Sequence, residues 1–322
     1  MIPTTALVKP LSPVIAVLFP AMLYKRLGPC YDAAIAINNR KSWRRPMIAE
    51  SALPEFRAAL RGQLMFPGEP AYEEARKIHN AMIDRHPAMI VRCAGVADVM
   101  ASVKFARNHG ILTSIRGTGH NVVGTSLCDD GLVIDLSAMK GIHVNPTTRT
   151  SRVEPGVTWA EINHDLQAFG LAATGGYVGT TGVGGLTLGG GLGWMVRKHG
   201  CALYNLLSAD VVTAEGELLR ASATENPDLF WGIRGGGGNF GIVTSFEFQV
   251  HPAGTVLAGL VLHPLSKGRD AVRFWRKYEE SAAEQMSNSL VVFTATAELP
   301  VPDVLRREAI VAIGGVWVGA LE

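Results

Sequence analysis

The sequence predicts an α+β fold, and three observations carry that reading. A strand–helix–strand unit fills Ile90 to Ile115, an alternating strand-like segment fills Gly241 to Val250, and more strand-like runs follow Pro252 around one helical stretch. No long internal repeat runs through the chain. Its 322 residues are enough for two domains. Hydrophobic residues make up 48% and charged residues 18%, which supports a sizeable core and argues against overall disorder.

The elements follow in order. Residues 1 to about 60 show no strong periodicity and read as an N-terminal extension. Within it, Leu11 to Tyr24 is apolar but broken by Pro13 and Pro20, and is too short to span a bilayer as a helix. It resembles the apolar core of a secretion signal, yet no small-residue cleavage pattern follows it. Ile90 to Cys93 reads as a strand. Val96 to His109 places Val96, Val99, Met100, Val103 and Ala106 on one helical face, and Gly110 supplies the stop. Ile111 to Ile115 is a second strand, leading into a glycine turn at Arg116 to His120.

Gly131 to Leu136 and Ser151 to Glu154 read as strands, with a turn at Asn145-Pro146. Thr158 and Glu161 form a capping box for a helix whose Trp159, Ile162, Leu166 and Phe169 share a face. Ala209 to Ala214 and Glu217 to Ala221 flank Glu215-Gly216 as a hairpin. Asn226 is placed as the N-cap of a helix with Pro227 in its first turn. Gly241 to Val250 alternates and reads as a half-buried strand. Past a boundary near Pro252, Val256 to Leu262, Leu290 to Thr296 and Ile310 to Val318 are strand-like, and Asp270 to Glu284 is helical.

A net charge of +2 gives no reason to expect a nucleic-acid partner, and the short basic run Arg40 to Arg45 reads as a solvated stretch. Four cysteines (Cys30, Cys93, Cys128 and Cys201) show no paired or zinc-type spacing, so no metal is expected. Cys93 and Cys201 sit among apolar residues and read as buried thiols, and the cytosol is the default compartment, with secretion left open. No membrane partner is expected.

The 36 glycines concentrate between Gly117 and Gly241. Gly236-x-Gly238-x-x-Gly241 matches a dinucleotide fingerprint, but that fingerprint needs a strand before it and a helix after it. Here a helix precedes and a strand follows, so the Rossmann reading fails. No phosphate-binding P-loop pattern occurs either. Arg116-Gly117-Thr118-Gly119-His120-Asn121 is the sharpest signal. Glycine turns let the backbone point several N–H groups at a phosphate, Arg116 can pair with an anion, and His120 at the end of a strand adds a nucleophile.

This hexapeptide resembles the R-G-G-G-H-N motif of FAD-linked oxidases of the vanillyl-alcohol-oxidase type, in the berberine-bridge-enzyme-like branch. The resemblance extends through Asp129 to Ser137, Val153 to Trp159, Gly182-Val183-Gly184-Gly185, Gly189 to Gly193 and Arg234 to Val243, and covers roughly residues 60 to 255. It implies a two-subdomain FAD-binding fold of the PCMH type over 61–252, followed by part of an α+β substrate domain over 253–322. It implies that Arg116, Gly117, Thr118, Gly119, His120, Asn121, Thr180, Thr181, Gly182, Gly184, Gly185, Gly190 and Gly191 bind the cofactor. Gly241, Ile242 and Val243 are implied to meet its adenine end, and Asn239 is read as structural as readily as ligand-binding. His120 matches the histidine that these enzymes link covalently to the flavin 8α-methyl group.

Three positions depart from the family. Val178 stands where many relatives hold a second, cysteine link, so one covalent bond at most is expected. Thr181 stands at the position thought to gate oxygen, which leaves access open. Tyr204 stands where relatives carry Asp or Asn, and a packing role is expected for it. Relatives also continue beyond residue 322 and bring their base from that later segment, so the chain reads as C-terminally truncated and no catalytic base is assigned. The implied activity is hydride transfer from an alcohol, sugar or natural-product C–H to flavin N5, with O2 as acceptor. Two alternatives stay open: an FAD-binding module without turnover, and a flavin-dependent reductase of the same fold.

Overall fold

A computed structural model describes residues 50–299 and 301–321 of the chain. The expectations for Leu11 to Tyr24, Arg40 to Arg45 and Cys30 fall outside those residues.

The first layer is a four-stranded sheet of β1 (Gln63–Met65), β2 (Met89–Arg92), β3 (Thr113–Arg116) and β4 (Leu132–Asp135), in the order β1-β2-β4-β3. β2 and β3 both run parallel to β4, and β1 closes one edge antiparallel to β2. The strand–helix–strand unit of the sequence is present, but its two strands are not neighbours: β4 lies between them. All four residues of β4 are buried, as the central strand of a sheet covered on both faces must be. The helix Val96–Asn108 packs on one face through Val99, Phe105 and Ala106, and Gly110 follows at φ 62. A short helix, Leu53–Ala58, joins that layer: Phe56 stacks on Phe105 with ring centroids 3.9 Å apart. The body of the fold therefore begins before residue 61. On the opposite face, Met65, Tyr72, Ile90, Leu127, Cys128 and Val133 form a second core.

The second layer is a five-stranded antiparallel sheet. Its order is β5 (Ile142–Asn145), β6 (Thr150–Val153), β10 (Ile242–Gln249), β8 (Leu206–Val212) and β9 (Leu218–Ser222). β5 carried no signal noticed in the sequence. β10 is not the half-buried alternating strand expected from its pattern, because Ile242 to Phe246 are all buried. It is the central strand, with Ile242 in the core of the first layer and Phe246 and Phe248 in the core of the second. A bulge between Val243 and Ser245 breaks its alternation.

The helix Trp159–Gln167 lies on the core of this second layer, with Trp159, Ile162 and Leu166 buried. Its capping box is formed: Glu161 N–H donates to Thr158 Oγ1 at 3.3 Å, and Thr158 N–H donates to Glu161 Oε2 at 2.7 Å. Phe169 lies past the last helical residue and is half exposed rather than on the buried face. Asn226 precedes the helix Pro227–Ile233 at φ 48 and makes no side-chain cap; its Nδ2 donates to Arg220 O at 2.7 Å instead. Cys93 and Cys128 are buried, whereas Cys201, just before the short 3-10 turn Ala202–Asn205, is only half-buried.

β7 (Leu171–Ala172) pairs with β11 (His251–Pro252), and the chain then enters a third sheet. β12 (Leu257–Pro264), β14 (Ala309–Trp317) and β13 (Met286–Thr294) run antiparallel in that order, with the helix Gly268–Glu279 against them. The short helix Val196–His199 ties this sheet to the rest: Arg197 pairs with Glu279 at 2.5 Å and Lys198 Nζ donates to Val318 O at 2.9 Å.

Candidate functional site

β3 ends at Arg116 and hands the chain to the turn Gly117–Asn121. β10 begins directly after Gly241, and the short helix Val183–Leu188 begins directly after Gly182. These three segments converge on a cleft of about 680 Å³ between the first two sheets, within the usual range for a bound small molecule. Gly117, Thr118, Gly119, His120 and Asn121 form one wall. Thr181, Gly182, Gly184 and Gly185 form the second, and Gly241, Ile242 and Val243 the third. Gly119 adopts φ 83, a left-handed conformation that favours glycine. At Gly182 a Cβ would lie 2.5 Å from Thr118 Oγ1, so these two walls touch only because that position has no side chain.

The turn is laced to the segment before β2. His79 N–H donates to Gly119 O at 2.9 Å, Asn80 Nδ2 donates to Val122 O at 2.8 Å, and Arg116 Nη2 donates to Lys77 O at 3.2 Å. Arg116 does not line the cleft. Its Nη1 is 3.0 Å from Asp135 Oδ2, and Asp135, which is fully buried, also accepts from Arg92 at 3.1 Å and from Ser137 N–H at 3.0 Å. Two nitrogens of the guanidinium are thus held within the protein, Nη1 by Asp135 and Nη2 by Lys77 O, and these contacts brace the turn.

Three more of the expected cofactor residues lie off the cleft. Thr180 is exposed one residue before the wall begins. Gly190 and Gly191 accept from Leu203 N–H and Ala202 N–H, both at 3.0 Å, and a Cβ on Gly191 would meet Ala202 Cβ at 2.5 Å. At Gly191 the missing side chain lets the chain approach Ala202 closely. Tyr204 is exposed and packs beside Gly200. Val178 is half-buried, and Asn239 lines the cleft while its Nδ2 donates to Gly236 O at 2.7 Å, closing the turn.

His120 is half-buried at the cleft wall. Burial, followed by the charge of neighbouring His79, lowers its pKa, which favours the neutral imidazole that a nucleophile must be. Thr181 Oγ1 lies 3.5 Å from its Nδ1, and the His79 ring stacks on it at 4.4 Å with 14° between planes. His79 was not singled out from the sequence, and only its place in the folded chain gives it significance. Ser126 was missed too. Its buried Oγ lines the cleft without a partner.

The residues present fit a long ligand with a phosphate-bearing part. The orphaned Ser126 Oγ needs an acceptor or donor, and a Cβ at Gly185 or Gly238 would project into open space, so the wall is left bare there. The N–H groups of Gly184 and Gly185 lie in the first helical turn, where no helical carbonyl reaches them. Among the described residues, no group of three His, Cys, Asp or Glu could hold a metal ion, and no helix is long and apolar enough to cross a membrane.

Comparison with known proteins gives concordant results. The sequence of the FAD binding domain family matches residues 87–222. The chain is 36% identical over 193 residues to (R)-6-hydroxynicotine oxidase of Paenarthrobacter nicotinovorans, covering 60% of this chain and 42% of that protein. It is 37% identical over 198 residues to xylooligosaccharide oxidase of Thermothelomyces thermophilus, covering 60% of this chain and 40% of that one. Among solved structures, the BBE-like 1 protein of Physcomitrella patens superposes with a TM-score of 0.75 at 25% identity, over 83% of this chain and 56% of the other. The chain thus spans about half the length, or less, of the relatives it matches.

Proposed function

We propose that this chain, which matches the FAD binding domain family over residues 87–222, is the FAD-holding part of an oxidoreductase that oxidises a small organic alcohol, sugar or natural product. In this reading residues 61–252, with the helix Leu53–Ala58 packed against them, form the FAD-binding domain and 253–322 belong to the substrate side. The observation that carries it is the convergence of the 117–121 turn, the Thr181–Gly185 wall and the start of β10 on one cleft with His120 in its wall. The oxidase names of relatives such as xylooligosaccharide oxidase support the class of reaction.

The bound flavin would supply a two-electron acceptor for substrate hydride and pass the electrons to O2. The chain's own residues supply the rest. Backbone N–H groups of Gly184 and Gly185 and the Ser126 hydroxyl would hold the polar length of the cofactor. Ile242 and Val243 would hold its far end through main-chain groups. His120, neutral and half-buried, would form the single covalent bond to the flavin, which fixes its orientation against the substrate. Val178, lacking a thiol, offers no second link.

The test is acid precipitation of the purified chain. Yellow, flavin-fluorescent pellet that is lost in His120→Ala supports the reading. Wild-type chain that takes up no FAD, with no rise in Tm on adding it, would overturn it.

A further inference from the structure

We propose that His79 is a positioning residue for the covalent attachment of flavin to His120, its ring stacked on the His120 imidazole so that the nucleophile's plane is set before the cofactor arrives. The proposal rests on the reading of His120 as the attachment point and goes beyond it by naming the residue that prepares it.

The geometry is built at both ends of His79. Its imidazole lies 4.4 Å from that of His120 with 14° between planes. Its backbone N–H donates to Gly119 O at 2.9 Å, on the residue immediately before His120. The next residue, Asn80, donates from Nδ2 to Val122 O at 2.8 Å, and the chain two residues earlier accepts from Arg116 at Lys77 O. These bonds hold the backbone of residues 77–80 against the turn and so keep the exposed His79 side chain beside His120. Thr181 Oγ1, 3.5 Å from His120 Nδ1, bounds the imidazole from the other wall of the cleft. Charged groups packed about the turn are His79 itself and Arg116, whose charge is met by buried Asp135. Burial and the His79 charge both favour neutral His120.

A His120 ring nitrogen forms a C–N bond to the flavin 8α carbon. One C–H bond of the 8α-methyl group and the imidazole N–H bond break, and both hydrogens, with two electrons in total, pass to the ring system, which is thereby reduced by two electrons. Dioxygen then takes those two electrons and two protons to give hydrogen peroxide and oxidised, linked flavin. A stacked partner contributes by holding the nucleophile in a reactive orientation, which is a positioning effect and not a further chemical participant.

The experiment mixes apo chain with FAD in air and follows, against pH, the fraction of flavin that survives acid precipitation, alongside total flavin bound and Tm. His79→Ala is expected to bind FAD and to attach it about tenfold more slowly or worse at every pH. His79→Phe keeps a stacked ring and is expected to restore most of the rate, with the pH of half-maximal attachment moved upward because the second imidazole charge is gone. The proposal is overturned if His79→Ala matches the wild-type rate and pH profile, or if His79→Phe attaches flavin no faster than His79→Ala. Wild-type chain that binds FAD but releases all of it into acid overturns the covalent reading itself, and the proposal with it.

Discussion

Asp135 decides whether the glycine turn keeps its shape. It is fully buried and pairs with both Arg116 and Arg92. Removing a partner from such a group leaves charge uncompensated in the interior. Asp135→Ala is expected to lower stability by about 3 kcal/mol, read from urea unfolding, and to weaken FAD uptake by freeing the turn. Arg116 also shows where sequence reading stops at this scale. An arginine beside glycines suggests an anion, but the anion is a carboxylate 19 residues away in the chain, visible only after β3 and β4 have paired. Glycines behave the same way. At Gly182 the close neighbour is Thr118 in the cleft wall, and at Gly191 it is Ala202, off the cleft. A missing side chain reports that something comes near, not what it is.

Elements were legible wherever local chemistry decides them. The Thr158–Glu161 capping box is formed, and Thr158→Ala is expected to cost about 1 kcal/mol in chemical unfolding, the usual worth of such a cap. Strand order was not legible, because pairing depends on contacts far along the chain: β4 inserts between β2 and β3, and β10 takes the centre of its sheet. The helix Val196–His199 shows a junction no local pattern announces. His199 stacks on His251 at 3.8 Å, and His251 Nε2 lies 2.7 Å from Asn205 Oδ1. Burial, then the His251 and Lys198 charges, pushes the His199 pKa down to about 4, and burial lowers that of His251. Both imidazoles are held neutral in the fold, whereas an unfolded histidine gains its proton near pH ~6.5. The unfolded chain therefore binds more protons as pH falls from there towards 4, and stability falls with it. Tm measured across that window is expected to drop with acid, and His199→Phe is expected to flatten the drop.

At the scale of the molecule, the third sheet is the exposed part. β12 presents Leu257, Leu260 and Val261 largely to solvent along an edge of the β12-β14-β13 sheet. Such an edge pairs readily with another chain. Sedimentation is expected to show association rising with concentration, and Val261→Lys is expected to reduce it while leaving the unfolding free energy within about 0.5 kcal/mol of wild type, as exposed substitutions do. The two inner layers, by contrast, meet as one body around the cleft. The lacing of Lys77, His79 and Asn80 to the 116–122 turn has a kinetic side. A glycine-rich segment is ordinarily a region of rapid opening, yet here three hydrogen bonds pin it to a neighbouring stretch. All three of those bonds run within the chain itself. Capture of the cofactor should then follow simple second-order kinetics, its observed rate climbing in proportion to FAD with no plateau, because no slow rearrangement waits between encounter and seating.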